Sequence, residues 1–107
     1  GKNEIIEYIE ELRKASGNKE ARIKLAKITS YIDYLSENGL AIGEPFIKKL
    51  DTEIWELRPL RDRILFAAWC NNKFVLLSVF MKQTQKTPKR EIEKAKRYLE
   101  DFKKRSE

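Results

Sequence analysis

The sequence predicts an α+β domain in which helices pack on one small antiparallel sheet. Three observations predict this fold class. Apolar residues recur at helical spacing over residues 1–40. Short runs rich in β-branched and aromatic residues then occupy residues 54–58, 63–69 and 74–81, between turn signals. A last segment returns to helical spacing, so the order is helix, helix, three strands, helix, within a single domain of residues 1–107.

The first two helices are predicted by their apolar stripes and by the residues that end them. The stripes contain Ile5, Ile6, Ile9 and Leu12 in the first helix, and Leu25, Ile28, Ile32 and Leu35 in the second. Residues 16–18 (Ser-Gly-Asn) end the first helix, and Asn38-Gly39 ends the second because this pair suits positive φ. Each helix therefore has one apolar side that needs a partner.

The three predicted strands form a meander that leads into the final helix. Residues 59–62 make the first connection, and Asn71-Asn72 makes the second as a tight hairpin turn. The strand at 74–81 is almost entirely apolar, which predicts a central strand covered on both faces. Pro88 then opens the last helix. Its apolar stripe contains Ile92, Ala95, Leu99 and Phe102.

Composition excludes several classes of protein. The chain is 41% hydrophobic and 37% charged, with no membrane-length apolar run and no signal peptide, which predicts a soluble protein. A single cysteine, Cys70, is typical of the reducing cytoplasm. The absence of histidine excludes Ser-His-Asp triads and nearly all catalytic zinc sites. The acidic residues do not cluster at ligand spacing, so we expect neither a metal nor a cofactor.

The net charge of +6 is unevenly distributed. Residues 1–40 carry seven basic and seven acidic residues, whereas residues 82–105 carry ten basic and four acidic ones. The excess therefore lies in the last quarter of the chain. Such a basic surface indicates a polyanion or an acidic protein as partner, and a solvated helix face is the alternative.

The meander is expected to collect cations that are distant in sequence at one end of the sheet. These are Arg58, Arg61, Arg63 and Lys82, with Gln83, Thr84 and Lys86 along the same rim. Alternation along the strand puts Glu56 on the face of Arg58. Arginine forks bind phosphate oxygens and lysine supplies a point charge, so the set fits an RNA phosphate. The alternative is that Glu56 and Asp62 neutralise two arginines and the rest is solvated surface.

Two stretches resemble a known family of toxins. Residues 50–66 (LDTEIWELRPLRDRILF) and residues 80–88 (FMKQTQKTP) closely resemble the HigB-type branch of the RelE/ParE toxins, which includes the phage-derived Gp49-like group. The similarity is strongest over residues 44–105, and the helical hairpin before them also fits. The motifs are W-E-L-R before a turn, R-I-L-F after it, and F-x-K-x-T-x-K-T-P entering the last helix.

The resemblance implies a RelE-like fold and the toxin of a type II toxin–antitoxin module. Such a toxin is a metal-independent mRNA interferase, an endoribonuclease that cleaves mRNA on the translating ribosome through attack by the ribose 2′-OH and so arrests growth. The partners it implies are mRNA, the ribosome and a cognate helix-turn-helix antitoxin (HigA-type), which neutralises the toxin in a hetero-oligomer. We expect it in the cytoplasm, without a membrane partner.

Site residues follow from the resemblance position by position. Arg58 and Arg63 match basic positions on the central strands and are candidates to grip the phosphate. Lys82 and Lys86 match the cations between the last strand and the last helix and are candidates for proton transfer, with Glu56 as a weaker candidate base. Strand topology, rather than the resemblance, adds Arg61, Gln83 and Thr84 as residues expected to contact RNA. Lys89 and Arg90 are expected either to contact RNA or to form the solvated first turn of the last helix.

Two departures from the family pattern and two competing functions remain open. Family members usually begin with a β-strand, whereas this chain opens almost directly in the first helix, and Gly1 in place of Met favours a truncated strand. Some relatives have a catalytic tyrosine or histidine where this chain reads Lys86-Thr87-Pro88, which leaves the general acid unassigned. The competing functions are a ParE-like inhibitor of DNA gyrase and a non-catalytic nucleic-acid-binding or protein-interaction module.

Overall fold

Three α-helices and one four-stranded antiparallel sheet make up the fold in the computed structural model, which describes residues 3–70 and 73–106. In chain order the elements are α1 (Glu4–Lys14), α2 (Lys19–Asn38), β1 (Ile47–Lys49), β2 (Trp55–Leu57), β3 (Asp62–Trp69), β4 (Lys73–Met81) and α3 (Lys89–Arg105), with a 3-10 turn at Gly39–Ile42 after α2. The predicted α+β class is confirmed.

The helix ends lie where the sequence signals predict them. The side chains of Asn3 and Asn18 accept hydrogen bonds from the first free backbone N–H groups of α1 and α2. Gly39 ends α2 with a φ of 68°, a conformation that glycine adopts without steric cost. Pro88 immediately precedes α3, as predicted.

The sheet has the order β1-β2-β3-β4, with every neighbouring pair antiparallel. The long strand β3 is central, and both of its faces are buried. Its even-numbered residues Ile64 and Phe66 pack against the core beneath α1 and α2, whereas Leu65 and Ala67 pack against a second core beneath α3. The sheet is therefore covered by the helical hairpin on one face and by α3 on the other, which leaves its strand ends available.

Two predictions about the sheet are wrong. The sheet has four strands rather than three, because Ile47–Lys49 pairs with β2. This strand gave no sequence signal, since it is three residues long with one buried side chain and two exposed lysines, which is typical of a protected edge. In addition, β4 is an edge strand of the described sheet, and β3 occupies the centre that β4 was expected to hold.

Three further features complete the comparison with the sequence. The predicted hairpin turn at Asn71-Asn72 lies outside the described residues. Within residues 3–70 and 73–106, no strand precedes α1, which follows directly from its cap Asn3. None of the described helices is long and apolar enough to cross a bilayer.

Candidate active site

A small cleft at one end of the sheet brings together three of the four basic residues that the meander was expected to collect, Arg58, Arg63 and Lys82, but not Arg61. We call it the cationic cleft, and it is lined by Glu56, Arg58, Arg63, Phe80, Lys82, Thr87, Pro88 and residues 83–86. Strand pairing explains this convergence. Arg58 follows the end of β2, Arg63 pairs with Phe80 across β3 and β4, and Lys82 follows the end of β4.

A buried carboxylate, Glu56, is the centre of this cleft. Its Oε1 lies 3.7 Å from Nε of Arg58 and 3.9 Å from Nε of Arg63. Its Oε2 accepts a hydrogen bond from the hydroxyl of Thr87. The Glu56 side chain is only 4% exposed, so its carboxylate faces these three groups rather than solvent. Glu56 therefore links the ends of β2 and β3 to the segment that enters α3.

Arg63 is held almost entirely within the protein. Its side chain is 7% exposed, and Nη1 donates hydrogen bonds of 2.8 Å to the carbonyl oxygens of Leu60 and Asp62. Burial lowers the pKa of Arg63 from its usual value, and the nearby Glu56 carboxylate opposes this shift. Arg63 lines the cleft, but much of its hydrogen-bonding capacity is already used by the backbone.

The segment of residues 82–88 supplies the cations that are accessible at the mouth of the cleft. Lys82 is half-buried and Lys86 is exposed. Among the described residues, neither lysine has a carboxylate oxygen within 4.0 Å. The hydroxyl of Thr84 donates a 2.7 Å hydrogen bond to the carbonyl of Lys86, which holds the segment in a turn. With Arg58, whose side chain is 24% exposed, these lysines form a positive rim above Glu56.

The interior of the cationic cleft is nearly filled. Its free volume is about 10 Å³, which is the space of about one water molecule. Thr87 and Pro88 close one side, and the hydrogen bond from Thr87 to Glu56 holds that side in place. An anion the size of a phosphate therefore fits at the mouth of the cleft, against the rim of Arg58, Lys82 and Lys86, rather than inside it.

The structure does not bring all the predicted contact residues into the cleft. Gln83 and Thr84 line it, but Arg61 lines a neighbouring apolar groove, and Lys89 and Arg90 lie exposed in the first turn of α3. Sequence reasoning did not single out Thr87 as a contact of Glu56. Its position in the K-T-P motif was visible, but nothing in the sequence indicated a bond across 31 positions.

Asp62 does not neutralise an arginine by direct contact, contrary to the alternative considered from the sequence. Its buried carboxylate accepts a 2.9 Å hydrogen bond from the Tyr8 hydroxyl and lies 3.8 Å from Nζ of Lys24. Burial alone lowers the pKa of Lys24, but the nearby Tyr8 hydroxyl and the charge of Asp62 raise it above its usual value overall. These three residues attach α1 and α2 to the start of β3, directly behind Arg63.

The cations of the rim give the mouth of the cleft the chemistry of an anion-binding site. No three His, Cys, Asp or Glu side chains within residues 3–70 and 73–106 converge as a group that could hold a metal ion.

The family model of the phage-derived proteins described as Gp49-like (DUF891) matches residues 10–100. This chain belongs to the Gp49-like family. No curated protein matches it.

The matched range of this Gp49-like protein contains the whole cationic cleft, all four strands, the whole of α2, the end of α1 and most of α3. The Gp49-like family is toxin-like, so membership fits the toxin of a toxin–antitoxin module.

Proposed function

We propose that this protein is a HigB-type toxin of the RelE/ParE superfamily and acts as a ribosome-dependent mRNA endonuclease. The observation that carries the proposal is the rim of Arg58, Lys82 and Lys86, in which the two lysines have no carboxylate within 4.0 Å among the described residues. Although Arg58 has Glu56 as a countercharge, the two lysines add positive charge that no carboxylate balances, and an RNA phosphate at the mouth of the cleft relieves the resulting repulsion.

In the proposed reaction, the ribose 2′-hydroxyl gives its proton to a solvent water, its oxygen attacks the adjacent phosphorus, and the bond from phosphorus to the 5′-oxygen breaks. The products are a 2′,3′-cyclic phosphate and a 5′-hydroxyl end. Arg58 and the two lysines stabilise the extra negative charge of the transition state. A lysine ammonium group at the rim also serves as the proton donor to the leaving 5′-oxygen. Metal ions have no assigned role in this scheme.

The burial of Glu56 favours a positioning role over proton transfer. In the closed cleft, its carboxylate is occupied by Thr87 and faces both arginines, so it holds Arg58 towards the mouth. Glu56 becomes a candidate base for the 2′-hydroxyl only if Thr87 releases it. Arg63, bound to two backbone carbonyls, supports Glu56 from below rather than gripping the phosphate alone.

The proposed partners are the translating ribosome, its mRNA and a cognate antitoxin. The ribosome supplies the mRNA in a fixed orientation, which compensates for a site that lacks histidine. An antitoxin that covers the rim would neutralise the toxin in a hetero-oligomer. The proposed compartment is the cytoplasm, where all three partners meet the toxin.

Mapping of mRNA ends after induction tests this proposal. Wild-type protein should produce new 5′-hydroxyl ends within translated regions, and these should disappear when initiation is blocked. Lys82→Ala should reduce cleavage by about 100-fold or more, because it removes a charge aimed at the transition state. Lys104→Ala, an exposed cation on α3, is the matched control and should cleave like wild type.

Each alternative function gives a different result in that experiment. Growth arrest without new mRNA ends, together with inhibited DNA supercoiling, would replace the nuclease with a gyrase inhibitor. Binding to RNA without cleavage or arrest would indicate a non-catalytic module. Unchanged cleavage by Lys82→Ala would show that the cationic cleft is not the active site.

A further inference from the structure

A second surface lies on the other side of the turn between β2 and β3, outside the cationic cleft. We call it the apolar groove, and it is lined by Ile23 of α2, Leu60 of the turn, Met81 at the end of β4, and the charged residues Lys19, Glu20, Lys24 and Arg61. Its free volume is about 450 Å³, which is within the range of sites that accept several apolar groups.

The groove gathers apolar side chains that the fold leaves in contact with water. Six large hydrophobic residues are exposed in the described chain, and three of them, Ile23, Leu60 and Met81, meet here with 46–47% of their surface accessible. They come from three different elements, so no single amphipathic stripe accounts for them. Clustered exposed apolar residues are typical of a protein-interaction surface.

Leu60 is held in a conformation that its side chain disfavours. Its φ is 56°, and it is the one non-glycine residue with positive φ among the described residues. Glycine or asparagine adopts this conformation at lower cost than a bulky aliphatic residue. Neither burial nor backbone preference explains a leucine at this position.

The charges around the groove identify the kind of partner. Three cations, Lys19, Lys24 and Arg61, surround the apolar residues, with Glu20 as the one carboxylate of the lining. Lys24 is paired with Asp62, but neither Lys19 nor Arg61 has a carboxylate oxygen within 4.0 Å among the described residues. An apolar centre with a positive margin complements apolar side chains flanked by carboxylates.

We propose that the apolar groove is a docking site for an acidic amphipathic helix of a protein partner. Apolar side chains spaced at i, i+3 and i+7 would cover Ile23, Leu60 and Met81, and flanking Glu or Asp residues would pair with Lys19 and Arg61. RNA is a poorer occupant, because its charged phosphates make no favourable contact with the three apolar side chains. The carbonyl of Leu60 accepts the 2.8 Å hydrogen bond from Arg63, so the docked helix lies directly beside the cationic cleft.

Fluorescence anisotropy with a labelled synthetic peptide tests this proposal. The probe is a peptide of roughly 16 residues with leucines at helical i, i+3 and i+7 spacing and glutamates on both sides of them. The comparison peptide keeps the leucines and replaces every glutamate with lysine. The wild-type protein should bind the acidic peptide and bind the basic peptide at least tenfold more weakly.

Two matched variants distinguish peptide binding in the groove from non-specific binding to other exposed apolar residues. Leu60→Asn removes the apolar side chain yet suits positive φ, so it should fold and weaken binding of the acidic peptide by about tenfold or more. Ile6→Gln removes an exposed isoleucine elsewhere, on α1, and should bind like wild type. Because no RNA is present, the result is independent of nuclease activity.

Three results would overturn the proposal: no binding of the acidic peptide, equal binding of the basic peptide, or equal loss of binding in Ile6→Gln. A single-stranded RNA that binds the wild type but not Leu60→Asn would assign the groove to nucleic acid instead.

Discussion

The cationic cleft and helix α3 are both rich in lysine and arginine, but they use these residues differently. On α3, Lys94, Lys96 and Lys103 pair with Glu4, Asp51 and Glu53, which come from α1 and from the loop between β1 and β2. At the mouth of the cleft, Lys82 and Lys86 have no such partner among the described residues. Three of the eight cations on α3 therefore attach the helix to other elements of the fold, whereas the rim lysines are available to a ligand.

This difference shows that the position of a basic segment in the sequence does not by itself locate a site. Residues 82–105 carry the whole surplus of positive charge, yet the structure divides them into a paired part and an unpaired part. The cationic side chains of the cleft also differ in how deeply they are buried. Arg63 is buried and bonded, Arg58 is partly exposed, and the lysines are at the surface. Four predictions test this difference between the cleft and the helix.

The largest effect is expected from Glu56, the buried partner of both arginines. Glu56→Ala should lower the free energy of unfolding by about 3 kcal/mol, because it leaves the buried Arg63 without its nearest carboxylate. Urea denaturation measures this loss. Glu93→Ala, which removes an exposed partner of Lys96 on α3, is the control and should cost less than about 1 kcal/mol. Equal costs for the two variants would mean that burial does not distinguish the cleft from the helix.

The next effect concerns the unpaired lysines. Lys82→Gln combined with Lys86→Gln should weaken binding of single-stranded RNA by about 10- to 100-fold and lower the slope of log affinity against log salt by about 1.4, since two phosphate contacts are lost. Filter binding over a range of salt concentrations measures both quantities.

The matched control removes the same net charge from paired positions on α3. Lys96→Gln combined with Lys103→Gln should leave the salt slope close to that of wild type, because these ammonium groups already face Asp51 and Glu53. The same loss in both double variants would contradict the distinction between the rim and the helix.

The order of helices and strands could be predicted from the sequence, because apolar spacing and turn residues report on local structure. The convergence of Arg58, Arg63 and Lys82 could also be predicted, since an antiparallel meander determines which strand ends meet. Burial of individual side chains could not. Arg63 is enclosed by the carbonyls of Leu60 and Asp62. This arrangement depends on the left-handed conformation of Leu60, which a leucine in the sequence does not predict.

The same reason explains the other errors. Strand β1 is too short to carry a pattern, and β4 is apolar although it lies at an edge, because helices cover both of its faces. The contacts of Glu56 with Thr87 and of Asp62 with Tyr8 join residues more than 30 positions apart. Pairing of this kind is set by tertiary packing, so charge counts alone assigned Asp62 to an arginine.

A smaller effect is expected at the buried pair behind the cleft. Tyr8→Phe removes a hydrogen bond from Asp62, whose other oxygen has no partner among the described residues, and should cost about 1–2 kcal/mol. Tyr34→Phe, at an exposed position on α2, is the control and should unfold like wild type.

The hydrogen bond from Tyr8 to Asp62 also predicts that the stability of the fold falls at alkaline pH. Burial raises the pKa of the Tyr8 hydroxyl above its usual value of 10.0. The stabilising contribution is therefore present below pH 10 and is lost as the pH rises through the higher folded-state value. The difference in stability between wild type and Tyr8→Phe should shrink over that interval, and a constant difference would argue against the assignment.

The smallest effect is expected at the exposed pair of Asp51 and Lys96, which joins α3 to the loop after β1. The hydrogen bond from Lys96, with further bonds from Thr52, lowers the pKa of Asp51 from 3.8 to about 2. A lowered folded-state pKa stabilises the fold at pH values above 3.8, and this contribution is lost as the pH falls towards 2. Asp51→Asn and Lys96→Gln should each flatten the acid dependence measured by circular dichroism between these pH values. Because the pair is exposed, added salt should also flatten it in the wild type, and a dependence that resists salt would mean that the pair is more enclosed than its geometry indicates.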